Sequence, residues 1–162
     1  MMENHAKEMD VLTEFLSLPI NSDESVFEKF RSLNGIERKG KNKFEQFIYV
    51  RGTRKNKVLL VAHADTYWDK KWVTHGDFAN AESRYEIDGD IIRSTSKYFG
   101  IGADDRVGCA MLWLLKESGH SLLITTGEEH GLLSSYWIMD SPDNKDIRDE
   151  IQNDHQFVIQ LD

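Results

Sequence analysis

Three runs of apolar and β-branched residues stand out in an otherwise polar chain, at residues 58–62, 122–126 and 157–161. Their continuous rather than alternating apolar character is typical of strands that are covered on both faces of a parallel sheet. Ligands bind at the carboxyl ends of such strands. Polar residues that follow the runs are therefore candidates for a site, and they are His63 after the first run, Glu128 and Glu129 after the second, and Asp162 after the third.

Helical spacing of apolar residues predicts helices between these strands, at residues 9–18, 25–33, 106–117, 132–139 and 146–152. Asn21, with Glu24 three residues later, is a candidate cap for the second helix. The order of helices and strands predicts an α/β fold. We expect three α/β/α layers around a mixed, largely parallel sheet.

Two hairpins are also predicted. Residues 44–50 have the composition of a strand, and the basic segment 51–56 is a plausible turn between it and the strand at 58–62. Residues 85–94 contain Asp88-Gly89 between apolar flanks, and both turn residues tolerate positive φ. Both hairpins are local predictions, made from turn residues alone.

Composition and charge limit the classes of protein. The 162 residues are 40% hydrophobic and contain no linker-like stretch, so we expect one domain over 1–162. The net charge of −8 argues against a nucleic-acid partner and against an anionic membrane surface. No apolar run approaches the length of about 18 residues that spans a membrane, and residues 1–5 lack the pattern of a signal peptide, so a cytoplasmic protein is expected.

The polar residues at the strand ends are of the types that bind a metal ion. Cys109 is the only cysteine, so a metal here would need imidazole and carboxylate ligands. Four groups offer them in chain order: His63-Ala64-Asp65, Gly102-Ala103-Asp104-Asp105, Glu128-Glu129 and Asp162. Each group alone has a simpler explanation, such as a helix cap at Asp104-Asp105. Together, at the ends of buried strands, they indicate a metal-hydrolase site.

With these motifs the chain resembles the amino-terminal part of the zinc exopeptidase superfamily, which includes co-catalytic aminopeptidases, carboxypeptidases and amino-acid deacylases. Residues 59–65, 102–108 and 127–134 carry the resemblance. The stretch Glu-Glu-His-Gly-Leu-Leu-Ser-Ser is similar to the family's Glu-Glu-x-Gly-Leu-x-Gly-Ser, with Ser134 in place of the second Gly. The resemblance implies the α/β/α fold without the carboxyl-terminal part of the family's domain.

The resemblance also implies a role for each residue. His63 and Asp162 would bind one zinc, Asp104 would bridge two zincs, and Glu129 would bind the second. Asp65 would orient His63 by accepting its other ring N–H, and Glu128 would be the general base for a metal-bound water. Asp105 would not bind metal, and in that family the peptide after the bridging Asp is often cis.

One departure from the family weakens the second zinc site. The family supplies its last histidine ligand from a segment beyond the Asp-bearing strand, and we expect this domain to be truncated after Asp162. One zinc then has a complete set of three protein ligands, whereas the other has only Asp104 and Glu129. His130 and His155 are the nearest spare imidazoles. Zinc is favoured by this ligand set, although manganese or cobalt would also fit.

Two functions follow as expectations. The first is a hydrolase of peptide or acyl-amino bonds, aminopeptidase-like, with carboxypeptidase and deacylase activities left open. The alternative is an inactive peptidase-like remnant that binds peptides or proteins. Loss of the family's last strands would expose a sheet edge, which makes a homo-oligomer possible. Tyr67 and Trp68, after the His63 motif, are candidates for the wall of a substrate pocket.

Overall fold

The computed structural model describes residues 2–67, 85–96 and 100–162, and it contains five α-helices and seven strands within them. The helices are α1 Met2–Leu16, α2 Asp23–Arg31, α3 Ala103–Leu114, α4 Leu133–Asp140 and α5 Lys145–Asp154. The strands are β1 Ile36–Lys39, β2 Gln46–Val50, β3 Lys57–His63, β4 Tyr85–Asp88, β5 Ile91–Ser94, β6 Ser121–Thr125 and β7 His155–Gln160. A short 3-10 helix, Pro142–Asn144, precedes α5.

Five strands form one mixed sheet in the order β1-β2-β6-β3-β7. The strands β6, β3 and β7 are parallel to one another, whereas β1 and β2 pair in the antiparallel sense. The parallel trio contains the three apolar runs of the sequence, so their carboxyl ends meet at one edge of the sheet. The remaining strands, β4 and β5, form a separate hairpin.

Helices cover both faces of this sheet. Side chains of α1, α2 and α3 pack on one face, where Phe15, Phe27, Phe30 and Leu112 are buried with inward residues of β2, β3 and β6. On the other face, Ile138 of α4 and Ile147 of α5 are buried with a second set of strand residues. The predicted three-layer α/β/α architecture is thus confirmed. No helix of the described ranges has the length and apolar character needed to cross a bilayer.

The predicted hairpin between residues 44–50 and 58–62 is wrong. Strands β2 and β3 are not neighbours, because β6 lies between them and pairs with both. The basic segment passes the start of β6 instead, where Gly52 N–H donates to Ser121 Oγ at 2.9 Å and Arg54 N–H donates to Gly119 O at 3.0 Å. Turn composition cannot reveal a strand that is inserted from much later in the chain.

Smaller differences concern caps and edges. The cap of α2 is Ser22 rather than Asn21, and its Oγ accepts the Ser25 N–H at 3.3 Å. The β4–β5 hairpin exists, but its register pairs Asp88 with Ile91, which leaves Gly89 and Asp90 as the turn. Strand β1 was not predicted at all, since Ile36–Lys39 contains three charged residues and no apolar alternation.

Ser134, which stands where the resembled family has Gly, ties α4 to the start of β2. Its side chain is buried, accepts the Gln46 N–H at 3.0 Å and lies 2.8 Å from the carbonyl oxygens of Phe44 and Gln46. A hydroxyl both donates and accepts, so this one side chain can pair with the Gln46 N–H and with a carbonyl oxygen of the same segment.

We therefore expect Ser134→Ala to lower the free energy of unfolding by about 1–3 kcal/mol, because partly buried backbone groups would lose a hydrogen-bond partner. Ser135→Ala, at the exposed neighbouring position, is the matched control and should change it by less than about 0.5 kcal/mol. Urea denaturation of the two variants measures both values. Equal effects of the two substitutions would contradict the role of the Ser134 hydroxyl.

Candidate metal centre

His63 is the last residue of β3, and α3 holds its backbone. Its N–H donates to Asp105 Oδ2 at 3.0 Å, and its carbonyl oxygen lies 3.3 Å from Cys109 Sγ. The ring Nδ1 lies 2.8 Å from the main-chain carbonyl oxygen of Asp65, which can only accept. Nδ1 therefore carries a proton, and the orientation of the ring leaves Nε2 to face the end of the sheet.

The Nε2 atom is the centre of a three-residue cluster. It lies 3.0 Å from Asp104 Oδ1, yet the two atoms are not aligned as a hydrogen bond, and Nε2 is buried without a hydrogen-bond partner. One ligand atom each from His63, Asp104 and Asp162 lies within 4.8 Å of the others. A buried nitrogen without a partner, beside two carboxylates, fits a divalent cation of the zinc type.

The electrostatics of the cluster also favour a cation. Burial alone would lower the pKa of His63, but the hydrogen bond and charge of Asp65, with the charges of Asp105 and Glu128, raise that pKa to about 9. The same carboxylates that stabilise a positive imidazole would stabilise a positive ion at Nε2. The electrostatic field of these carboxylates therefore favours a cation beside His63 Nε2.

Asp104 reaches the cluster because α3 begins irregularly. Asp104 and Asp105 have non-helical backbone angles inside the helix, and the peptide between them is cis, as the resemblance implies. Asp105 points the other way. Its buried carboxylate accepts the N–H of His63 and, at 2.8 Å, the N–H of Gly108, and burial raises its pKa to about 6. It lies outside the three-residue cluster, in keeping with the expectation that it does not bind metal.

Asp65 connects the His63 motif to the Glu128-Glu129 loop. Its two carboxylate oxygens accept the N–H of Glu128 at 3.3 Å and the N–H of Glu129 at 3.1 Å. Burial raises the pKa of Asp65, but His63 and these two N–H groups outweigh burial and hold it below its usual value. The carboxylate is 3.4 Å from His63 Nδ1, farther than the main-chain carbonyl, so its role in orienting the ring stays a prediction.

Glu128 and Glu129 follow β6 on a sharp turn at Gly127, whose φ is +76° and which packs against the Phe44 carbonyl. Glu128 Oε2 lies 3.9 Å from His63 Nε2, at the rim of the cluster. Glu129 lies beside it, and burial together with the charges of Asp104 and Glu128 raises its pKa. Both predicted residues are therefore near the cluster, although neither belongs to it.

The two spare histidines lie outside the three-residue cluster. His130 stacks on Phe44, with ring centroids 3.7 Å apart, and its Nδ1 lies 3.8 Å from Asp65 Oδ2. His155 begins β7 opposite Lys57, at the far end of β3 from His63, and its Nε2 is 2.8 Å from Ser121 Oγ. In the described ranges the cluster has no imidazole besides His63. Tyr67 is 71% exposed, and Trp68 falls outside the described residues.

Sequence reasoning offered a helix cap at Asp104-Asp105, but it missed that the Asp105 carboxylate also binds the His63 N–H and needs a Gly at position 108. The signal for it is an Asp three residues before a Gly at the start of a helix, because the carboxylate caps the Gly N–H. A Cβ at Gly108 would lie 2.2 Å from Asp105 Oδ1, so only Gly leaves room for this carboxylate.

Comparison with solved structures identifies proteins of the same fold. The chain is similar to an aminoacylhistidine dipeptidase from Vibrio alginolyticus, with 21% identity, a TM-score of 0.56 and coverage of 80% of this chain and 29% of that one. It is also similar to aminopeptidase PepT from Bacillus cereus, at 17% identity, and to a tripeptidase from Staphylococcus aureus, at 20%. Both have a TM-score of 0.60, with 96% of this chain and 42% of theirs covered.

These likenesses confirm the fold that the sequence resemblance implies. The chain spans less than half of the length of the proteins it matches. No family model and no curated protein sequence matches it.

We expect Gly108→Ala to lower the free energy of unfolding by about 1–3 kcal/mol, because the added Cβ would displace the Asp105 carboxylate. Alanine is the better helix former by about 1 kcal/mol, so any observed loss comes from the clash. Gly100→Ala is the control, since the one atom of the described residues within 4 Å of a Cβ there is the Gly102 nitrogen, at 4.0 Å. A stabilised Gly108→Ala variant would show that Asp105 has room to move.

Proposed function

We propose that this chain carries the metal-binding half of a metal-dependent peptidase, one that hydrolyses peptide or acyl-amino bonds and is aminopeptidase-like. The observation that carries the proposal is the buried, unpartnered Nε2 of His63 beside the carboxylates of Asp104 and Asp162. These residues come from β3, from the start of α3 and from the end of β7. A metal site of this kind needs ligand atoms from distant segments of the chain to lie close together, as these three do.

His63, Asp104 and Asp162 would hold one zinc ion, and three protein ligands leave a position open for water or substrate. Zinc bound there would polarise the scissile carbonyl and make water a stronger nucleophile. Asp104 would also face a second metal, together with Glu129. Among the described residues that second position has no imidazole, so we assign the chemistry to the three-ligand set.

Glu128 would be the general base. Its carboxylate is partly exposed and lies at the rim of the ligand set, where it would take a proton from the attacking water and return it to the leaving amine. The backbone on both sides of Glu128 is held by Asp65, because its carboxylate accepts the N–H groups of Glu128 and Glu129. Asp65 would thus fix the position of Glu128 relative to His63. This holds whether the carboxylate or the main-chain carbonyl of Asp65 orients the His63 ring.

Peptides are the proposed substrates. The neighbouring structures are named as a dipeptidase, an aminopeptidase and a tripeptidase, and this shared naming supports peptides over other acyl-amino compounds. The second candidate function is a peptide- or protein-binding remnant without catalysis. The observation in its favour is that the described residues offer the second metal only Asp104 and Glu129.

Zinc titration by calorimetry tests the ligand set. We expect about one zinc per chain, with affinity reduced in Asp162→Ala and His63→Ala by more than the 10–100-fold that loss of an outer partner costs. Asp140→Asn removes an exposed carboxylate of α4 and is the matched control, with affinity unchanged. Zinc binding that survives both ligand substitutions would refute the site.

Measuring the hydrolysis of a set of peptides by the zinc-loaded chain tests whether Glu128 is the general base. We expect Glu128→Gln to reduce kcat by about 100-fold or more while zinc affinity stays within a few-fold of the original, because a general base contributes about 10²–10⁴. Glu28→Gln, at an exposed position of α2, should retain activity. Zinc binding without hydrolysis of any peptide would favour the binding remnant, whereas hydrolysis unaffected by Glu128→Gln would exclude Glu128 as the base.

A further inference from the structure

One short turn of the chain is hydrogen-bonded to three of the four motif segments of the candidate site. It consists of residues 19–23, between α1 and the first residue of α2, and we call it the backing turn. Its bonding partners come from 46 to 103 residues later in the chain. The turn therefore meets the motif segments through the fold and not through closeness in sequence.

The first contact comes from the residue that follows the His63 motif. Thr66 stands directly after Asp65 and is buried, and its Oγ1 donates to the carbonyl oxygen of Ile20 at 2.7 Å. A main-chain carbonyl oxygen can only accept, so the hydroxyl is the donor. The segment after β3 is thus bonded to the backing turn one residue beyond Asp65.

The second contact comes from the start of α3. Arg106 lies two residues after Asp104, and its Nη2 donates to the carbonyl oxygen of Pro19 at 2.9 Å and to that of Ser22 at 3.2 Å. The guanidinium is buried, and its Nε and Nη1 have no hydrogen-bond partner among the described residues. Burying a charge with unpaired donors is unfavourable. Stability alone therefore does not explain an arginine at this position.

The third contact comes from the segment that leads to the proposed general base. Thr126 lies two residues before Glu128 and is buried, and its Oγ1 donates to Asp23 Oδ2 at 2.6 Å. Burial raises the pKa of Asp23, because the charged carboxylate is less stable away from water. Both partners of this bond are side chains, and replacing both by apolar groups of the same shape can leave stability nearly unchanged. The bond therefore points to a role in placement.

We propose that the backing turn is a positioning element, which sets the His63 motif, the start of α3 and the Glu128-Glu129 loop relative to one another. It bonds each segment within two residues of Asp65, Asp104 or Glu128. Catalytic groups have to be held within about 0.5 Å of their productive geometry by the residues around them. This inference rests on the proposed function, because the groups that the turn positions are the proposed ligands and base.

Hydrogen bonds between the motif segments supply a direct readout. The N–H groups of Glu128 and Glu129, the loop amides, donate to Asp65, and the N–H of His63 donates to Asp105. The rate of hydrogen exchange at an amide reports how readily its bond opens. The loop amides therefore report on the loop against the His63 motif, and the His63 amide reports on the start of α3 against β3.

The first experiment measures these exchange rates by NMR on the metal-free chain. We expect Thr126→Val to speed exchange of the loop amides by about tenfold or more, because the loop loses its bond to the backing turn. Arg106→Met should instead speed exchange of the His63 amide. Thr53→Val makes the same substitution at an exposed threonine before β3, and as the matched control it should change neither rate.

Further variants test whether Thr126 acts through the backing turn. Asp23→Ala should speed exchange of the loop amides as Thr126→Val does, and the double variant should be no faster than either single one, because all three lack the same bond. Thr126→Ser keeps the hydroxyl and should exchange like the unsubstituted chain. Additive effects of the two single substitutions, or a serine variant as fast as the valine variant, would overturn the proposal.

Zinc titration and peptide hydrolysis measure the consequence for the site, with circular dichroism to verify that each variant is folded. We expect Thr126→Val to lower kcat about tenfold or more at unchanged zinc affinity, because its loop carries the base and none of the three ligands. Arg106→Met should weaken zinc binding about tenfold or more. Loss of a positive charge alone would strengthen binding of a cation, so weaker binding by the folded variant indicates a displaced Asp104.

The outcomes separate this inference from the proposed function. Loop amides unaffected by Thr126→Val, or both sets of amides speeded equally by either variant, would overturn the positioning role. An unsubstituted chain that binds no zinc would refute the proposed function instead. The exchange rates need neither zinc nor activity, so they decide the role of the backing turn in that case as well.

Discussion

The bond on which the candidate site depends is the one from the His63 N–H to the Asp105 carboxylate. It joins the end of β3 to the start of α3, and the other oxygen of the same carboxylate caps the N–H of Gly108. The Asp105 carboxylate therefore makes one hydrogen bond to the helix and one to the strand. Since Asp104 precedes it in the chain, fixing Asp105 fixes where the Asp104 carboxylate emerges relative to the His63 ring.

Much of the fold could be predicted from the sequence because its strongest signals are local. The runs at 58–62, 122–126 and 157–161 did become parallel strands, and the helical stripes became helices on the two faces of the sheet. The errors arose where a distant segment decides the outcome. Insertion of β6 separates β2 from β3, and polar Ile36–Lys39 becomes a strand only because β2 offers it an open edge.

The candidate site shows the same difference between what local sequence signals predict and what distant segments decide. The sequence motifs identified His63, Asp104 and Asp162, and these three residues do lie together. His63 and Asp162 meet because β3 and β7 are neighbouring parallel strands, and Asp104 joins them from the start of α3. The contacts that each residue of a motif makes could not be predicted. Asp65 is bonded to the loop after β6 through both carboxylate oxygens, and only the parallel pairing of β3 with β6 makes that contact possible. Ser134 likewise has its partners at the start of β2, 88 residues earlier in the chain at Gln46 and 90 residues earlier at Phe44.

The position of β7 at an edge has a consequence for the dynamics of the cluster. His63 ends β3, and Glu128 and Glu129 follow β6, and both of these strands are paired on both sides. Asp162 follows β7, whose described neighbour is β3 alone. Edge strands open locally at a lower free-energy cost than central ones. The fraction of molecules with β7 closed would then scale the apparent affinity of the complete ligand set. Any contact that holds β7 against β3 would raise that affinity without touching a single ligand.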